Sequence, residues 1–232
     1  MSAVTILVHG AGSCPETARR LLAPAVPRGS AVVALAARGS VDRIVATIDE
    51  AARVAGDRLV LLAGVSLGAH ASALWAAGTH SDVPLLLAMP AWTGAPGAVA
   101  GLTAAAAHDL DQHGVDGVLD RLRADPLTRD DWVLEELDRG WATYPVVDLV
   151  AALLEAAVSL APSAAELGTI LAPTAVVALA DDPLHPEAVA RLWSDAIATS
   201  SLAVVGRSAA SVDRGALGRA GRLAMELLTG SR

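Results

Sequence analysis

Six short apolar runs recur along the chain, separated by longer segments of helical pattern. Val4–Val8, Ala31–Leu35, Leu59–Ala63, Pro84–Met89, Thr174–Leu179 and Leu202–Val205 are almost continuously apolar and rich in β-branched residues. A strand with one wet face alternates apolar and polar residues, whereas a strand covered on both faces does not. These runs therefore predict parallel strands sandwiched between helices. Glu16–Leu22, Val41–Val54, Leu67–Ala77, Glu187–Ala198 and Ala216–Leu228 supply the helices; in the second, Val41, Ile44, Val45, Ile48 and Ala52 share one face. Strand–helix alternation with right-handed crossovers predicts an α/β fold with a mostly parallel sheet.

One region breaks the rhythm. From Ala91 to Gly168 no strand pattern occurs, and Ala104–Leu110, Val115–Arg123, Trp132–Trp141 and Val146–Leu160 all read as helices. Pro126, Pro145 and Pro162 punctuate the stretch, and Asp130-Asp131 reads as the N-cap of the helix that opens at Trp132. A helical insertion between the fourth and fifth strands is the economical reading. It divides the chain into a core of residues 1–90 and 169–232 and an insertion of residues 91–168. The alternative is a larger sheet with ordinary helices.

Composition narrows the chemistry. All 17 basic residues are Arg, because the chain has no Lys. That excludes a Schiff-base lysine, a P-loop lysine and a Ser-Lys dyad. The single cysteine, Cys14, excludes an internal disulfide and a thiolate metal cluster, and no other residues have metal-ligand spacing. A net charge of −8 offers nucleic acid or an anionic membrane no electrostatic footprint. No apolar stretch is long enough for a membrane span and no leader pattern opens the chain, so the expectation is a cytoplasmic protein with no membrane partner. A homodimer is compatible with a chain that is about a fifth Ala.

Two motifs carry the functional signal. Gly64-Val65-Ser66-Leu67-Gly68 follows the third strand and opens an apolar helix, the context in which a serine is raised on a tight turn between small residues. The helix N-terminus and the Leu67 amide then favour negative charge beside the hydroxyl. His9-Gly10-Ala11-Gly12 follows the first strand. Its Gly10-x-Gly12 also opens a dinucleotide fingerprint, but Pro15 stands where the third glycine belongs, and the second strand ends without an acidic residue. The other reading of His-Gly-x-Gly after a strand is a donor of the second oxyanion amide.

With both motifs on neighbouring strands, the chain resembles the capped α/β-hydrolase superfamily over essentially its whole length. The residues that carry the resemblance are His9–Gly12, Gly64–Gly68, the insertion after the fourth strand, and Ala180-Asp181-Asp182-Pro183-Leu184-His185-Pro186 after the fifth. It implies about six strands in the order 2-1-3-4-5-6 and a cofactor-free pocket for a small molecule, under a helical cap with Ser66 at its floor. It also implies that Ser66 is a nucleophile, that the amides of Ala11 and Leu67 hold an oxyanion, and that His9 and Gly10 lie beside the substrate; Trp92, Trp132, Trp141 and Tyr144 read equally as walls of an apolar substrate pocket, Trp92 and Trp141 foremost, or as core aromatics of the insertion. The family's acid sits in an Asp-x-x-x-Pro loop, which Asp182 matches through Pro186; Asp181 is the alternative.

The family's histidine follows the last strand. Here that place reads Gly206-Arg207-Ser208, and no histidine occurs after His185. His185, three residues beyond Asp182, is the substitute base or else a pocket-lining residue. His70, one turn beyond Ser66, reads as a packed residue and His9 as a buttress of its loop; His80, His108 and His113 read as surface residues. Two functions follow: a hydrolase of small apolar esters or thioesters with an unorthodox triad, or a relative that binds a small molecule without turning it over.

Overall fold

The structure, a computed structural model, describes residues 2–36, 38–126, 128 and 131–230. Six strands form one sheet: β1 (Val4–Val8), β2 (Ala31–Leu35), β3 (Leu59–Val65), β4 (Leu85–Ala88), β5 (Thr174–Leu179) and β6 (Ser200–Val205). Their order is 2-1-3-4-5-6 and every pairing is parallel. β1, β4 and β5 are buried along their whole length, which is why their sequences do not alternate.

The pleat divides those apolar runs between two cores. Ile6, Val8, Leu62, Leu85, Leu87, Val176 and Ala178 pack against α2 (Val41–Ala55), α3 (Leu67–Thr79) and α8 (Glu187–Ala196). Their neighbours Leu7, Leu61, Ala63, Leu86, Ala88, Val177 and Leu179 pack against α1 (Pro15–Leu22) and α10 (Ala216–Thr229) on the other face. The edge strand β2 keeps Val32 and Val33 partly exposed.

Between β4 and β5 lie α4 (Ala98–Ala124), α5 (Trp132–Trp141), α6 (Val146–Ala157) and the single turn α7 (Ala164–Leu167), with no strand among the described residues. The two helices expected between Ala104 and Arg123 merge into α4, bent at Gly114, whose φ of +67° and ψ of 174° break the helix. Asp131 caps α5 by accepting the Val133 amide; Asp130, expected to share that role, lies outside the described residues. These helices hold a small core of their own, in which Leu110, Leu119, Trp141, Tyr144, Leu149 and Leu153 meet. Neither α7 nor α9 (Arg207–Val212) was expected, because both are too short to show a period. No helix among the described residues is long and apolar enough to cross a membrane.

Two glycines test this packing in opposite senses. A Cβ on Gly68 would stand 2.4 Å from the Val8 carbonyl oxygen and 2.7 Å from that of His9, so α3 could not remain against β1. Gly68→Ala is expected to lower unfolding stability by about 2–3 kcal/mol or more. Gly101, exposed inside α4, has open space around its Cα, and Gly101→Ala is expected to raise stability by about 0.5–1 kcal/mol. Urea unfolding of both variants measures the difference; a neutral Gly68→Ala would contradict the close approach.

Candidate active site

The strand register brings the functional residues to one edge. Val8 pairs with Gly64, Val65 with Ala88, and Leu179 with Val205, so the loops that follow β1, β3, β4, β5 and β6 leave the sheet side by side. In doubly wound sheets that carboxyl edge is where ligands bind.

Ser66 occupies the turn between β3 and α3 with φ 54° and ψ −121°, a conformation costing a non-glycine residue on the order of 1–3 kcal/mol. Its amide donates to the Ala88 carbonyl at 2.9 Å, and its own carbonyl accepts the Ala69 and His70 amides. The loop of His9 to Gly12 lies against it: a Cβ on Gly10 would come 3.0 Å from Ser66 Cβ and 3.5 Å from its Oγ. Ala11 follows in that loop, and Leu67 is the first residue of α3, where amides lack intrahelical partners.

Ser66 Oγ stands 3.0 Å from His185 Nε2. The other ring nitrogen, Nδ1, lies 3.3 Å from Asp182 Oδ2. The network assigns the proton to Nδ1, which donates to the carboxylate and leaves Nε2 to accept the serine hydroxyl. The loop holds the acid by its other oxygen, since Asp182 Oδ1 accepts the amides of Leu184 (2.8 Å) and His185 (3.3 Å). The Asp182 side chain is 4% exposed and that of His185 14%. Burial works to raise the Asp182 carboxyl, but the hydrogen bond and charge of His185, the Leu184 amide and Arg207 together hold it below its ordinary value. Asp181, the alternative acid, is exposed, with φ 57°.

The remaining histidines are placed elsewhere. His70 is fully buried between Trp92 (centroids 4.6 Å apart, edge to face) and Trp193 (5.4 Å), and its Nε2 accepts the Ala91 amide at 3.0 Å. His9 is 1% exposed and its Nδ1 donates to the Gly10 carbonyl at 2.8 Å, bracing the loop from within. Burial, together with the charge of Arg38, keeps its ring easier to deprotonate than usual, against the pull of that hydrogen bond. His80, His108 and His113 are exposed.

His9, Trp92 and Trp141, expected beside the substrate, are all buried in packing contacts. Trp92 covers His70, and the Trp141 indole nitrogen sits close enough to Gly12 to touch a Cβ placed there, at 3.1 Å. Arg207 is the residue that sequence reasoning passed over. It stands where the resemblance expects a histidine, and its Nη1 lies 3.5 Å from Asp182 Oδ2. The signal was the gap itself, which spacing could identify but not fill.

No protein-family model and no curated protein matches the chain. Solved structures do. MenH from S. aureus superposes with a TM-score of 0.72 at 16% identity, over 98% of this chain and 92% of that one. An enol-lactonase from Burkholderia xenovorans LB400 gives 0.67 at 18%, over 88% and 84%. An acetylester hydrolase from Corynebacterium glutamicum gives 0.70 at 14%, over 98% and 86%.

Burial and, second, the charge of His185 push His70 from an ordinary 6.5 down to about 3. Between those values the unfolded chain binds one proton more than the folded one. The stability that neutral His70 contributes is therefore complete above pH 6.5 and is lost as the pH falls toward 3, at up to about 1.4 kcal/mol per pH unit. His70→Gln retains an acceptor for the Ala91 amide and removes the titration. Urea unfolding from pH 4 to 7 is expected to show a flatter acid slope for the variant, and equal slopes would contradict the buried neutral ring.

Proposed function

From the α/β-hydrolase fold of this chain, we propose that it is a serine hydrolase of small, rather apolar esters or thioesters, with Ser66 as nucleophile, His185 as general base and Asp182 as its acid. One observation carries the reading: the continuous line from Ser66 Oγ to His185 Nε2 at 3.0 Å and from His185 Nδ1 to Asp182 Oδ2 at 3.3 Å. An alcohol is a weak nucleophile, and a neutral imidazole within hydrogen-bond reach is what activates it.

In this mechanism Ser66 Oγ attacks the acyl carbon while its proton passes to His185 Nε2. The carbonyl oxygen gathers negative charge and is held by the amides of Ala11 and Leu67, the second at the positive end of α3. Gly10 leaves room for the acyl group beside the hydroxyl. Collapse breaks the bond to the alcohol or thiol, which leaves with the proton from His185. Water then attacks the acyl-enzyme by the same route, its proton going to His185 and then to Ser66 Oγ. Asp182 does not take the proton; it fixes the ring and offsets the imidazolium charge. The helices between β4 and β5 cover the site as a cap. The alternative, a binding protein without turnover, draws on the missing histidine after β6; the imidazole 3.0 Å from Ser66 Oγ supports turnover instead.

A fluorophosphonate probe at pH 8 is expected to label wild type stoichiometrically and Ser66→Ala not at all. On short p-nitrophenyl esters, Ser66→Ala and His185→Ala are each expected to lose about 10³-fold or more in kcat/KM, and Asp182→Asn about 10²–10⁴-fold. Unlabelled wild type would sink the hydrolase reading, and undiminished His185→Ala would move the base elsewhere.

A further inference from the structure

The loop after β6 lacks an imidazole but carries a cation. Arg207, the first residue of α9, places Nη1 3.5 Å from Asp182 Oδ2, the oxygen that also accepts from His185 Nδ1 at 3.3 Å. Its Nη2 pairs with Asp131 Oδ2. Asp131 is the N-cap of α5, which belongs to the segment between β4 and β5. One guanidinium thus bridges the candidate acid and a carboxylate of the insertion. Because Asp182 Oδ1 already accepts two amides, Oδ2 is the oxygen shared between imidazole and guanidinium.

We propose that Arg207 is a positioning residue that sets the charge balance at Asp182, and that Asp131 governs how much of that positive charge His185 experiences, so that the seating of α5 controls the proton affinity of the base. The inference rests on His185 and Asp182 being base and acid. A cation beside the carboxylate disfavours an imidazolium on that carboxylate's other side, and a second carboxylate behind the cation offsets it. The contact is 3.5 Å long, and the acid is 4% exposed while Arg207 is 31% exposed, so solvent screens it less than a surface pair.

The other charged groups nearby leave this arrangement intact. His185 meets Asp182 in its own loop and Ser66 on the elbow, Arg207 on α9 reaches the pair through Asp182 Oδ2, and His70 on α3, which also interacts with His185, is neutral until about pH 3. Among the described residues near Asp131, Arg123 pairs with Asp138 at 2.9 Å and Arg214 with Glu135 at 2.9 Å, while Arg207 pairs with Asp131.

The test is the titration of His185 in ¹³C-histidine-labelled full-length protein, followed by NMR and assigned by loss of its signal in His185→Ala. Arg207→Gln is expected to move the His185 midpoint upward by about 0.5–1 pH unit, and Arg207→Lys by less, because the charge remains. Asp131→Asn, which keeps an equally good helix cap, is expected to move it downward, and by less when combined with Arg207→Gln. The acid limb of fluorophosphonate labelling should move in step. A midpoint unmoved by Arg207→Gln and Asp131→Asn, or moved the same way by both, would overturn the inference. Wild type that never labels would count against the hydrolase reading alone, since the midpoints report the charge balance whether or not Ser66 reacts.

Discussion

The site depends on backbone atoms that touch. A Cβ on Gly64 would lie 2.2 Å from the Gly68 carbonyl oxygen, and one on Gly68 would lie 2.4 Å from that of Val8. Two glycines therefore let β3 turn directly into α3 while α3 presses on β1. The residue between them absorbs the turn, which is why Ser66 is held at φ 54°. Such strain persists only where the surroundings over-determine it. Here a bond to Ala88 on β4 and two bonds into α3 do so. The result is a hydroxyl raised above the sheet edge at a helix N-terminus, with the Gly10 loop beside it.

The features visible in the sequence are those fixed by short-range pattern. The apolar runs located the strands to within two residues; burial on both faces explains the lack of polar alternation in β1, β4 and β5, whereas the edge strands β2 and β6 are apolar but partly exposed. The elbow was readable because its steric demand falls on Gly64 and Gly68, close in sequence. Asp182 was selected over Asp181 by its distance from Pro186, and the structure turns the Asp182 carboxylate toward the imidazole while Asp181 is exposed. His185 was visible as a candidate, yet nothing local reveals that its ring reaches a serine 119 residues away. Arg207 and Asp131, 76 residues apart, were invisible as a pair for the same reason. An aromatic under an insertion reads equally as pocket wall or core; Trp92 packs on His70 and Trp141 beside Gly12, contacts that no sequence spacing reveals.

The helices between β4 and β5 are tied to the loop after β1 and to α1. Trp141 packs on Gly12, the Tyr144 hydroxyl donates to the Ser13 carbonyl at 3.0 Å, and Glu136 of α5 accepts from Thr17 and Arg20 of α1, each at 3.0 Å. The Glu136 carboxylate is 6% exposed, so its desolvation is offset by these donors and by Arg139 and Arg214 nearby. The loop that includes Gly10 and Ala11 is thereby held between the elbow below and α5 above. A shift of α5 would disturb that loop and the Asp131–Arg207 pair together.

A carboxylate and an imidazole lying three residues apart in one loop change what the rest of the edge must do. When an acid and a histidine sit on loops after different strands, their meeting depends on how those strands pack. Here the Asp182 carboxylate accepts the amide of His185 itself, so a local turn sets the pair before any long-range contact forms. The loop after β6 is then free of the imidazole's duty. A cation in that place draws on the same carboxylate as the imidazole, and would bind it alone unless another anion shared it. Asp131 supplies that anion from the insertion. Asp182 Oδ2 is left oriented toward His185, so an arrangement that is local in sequence at the carboxylate and imidazole still depends on the seating of α5.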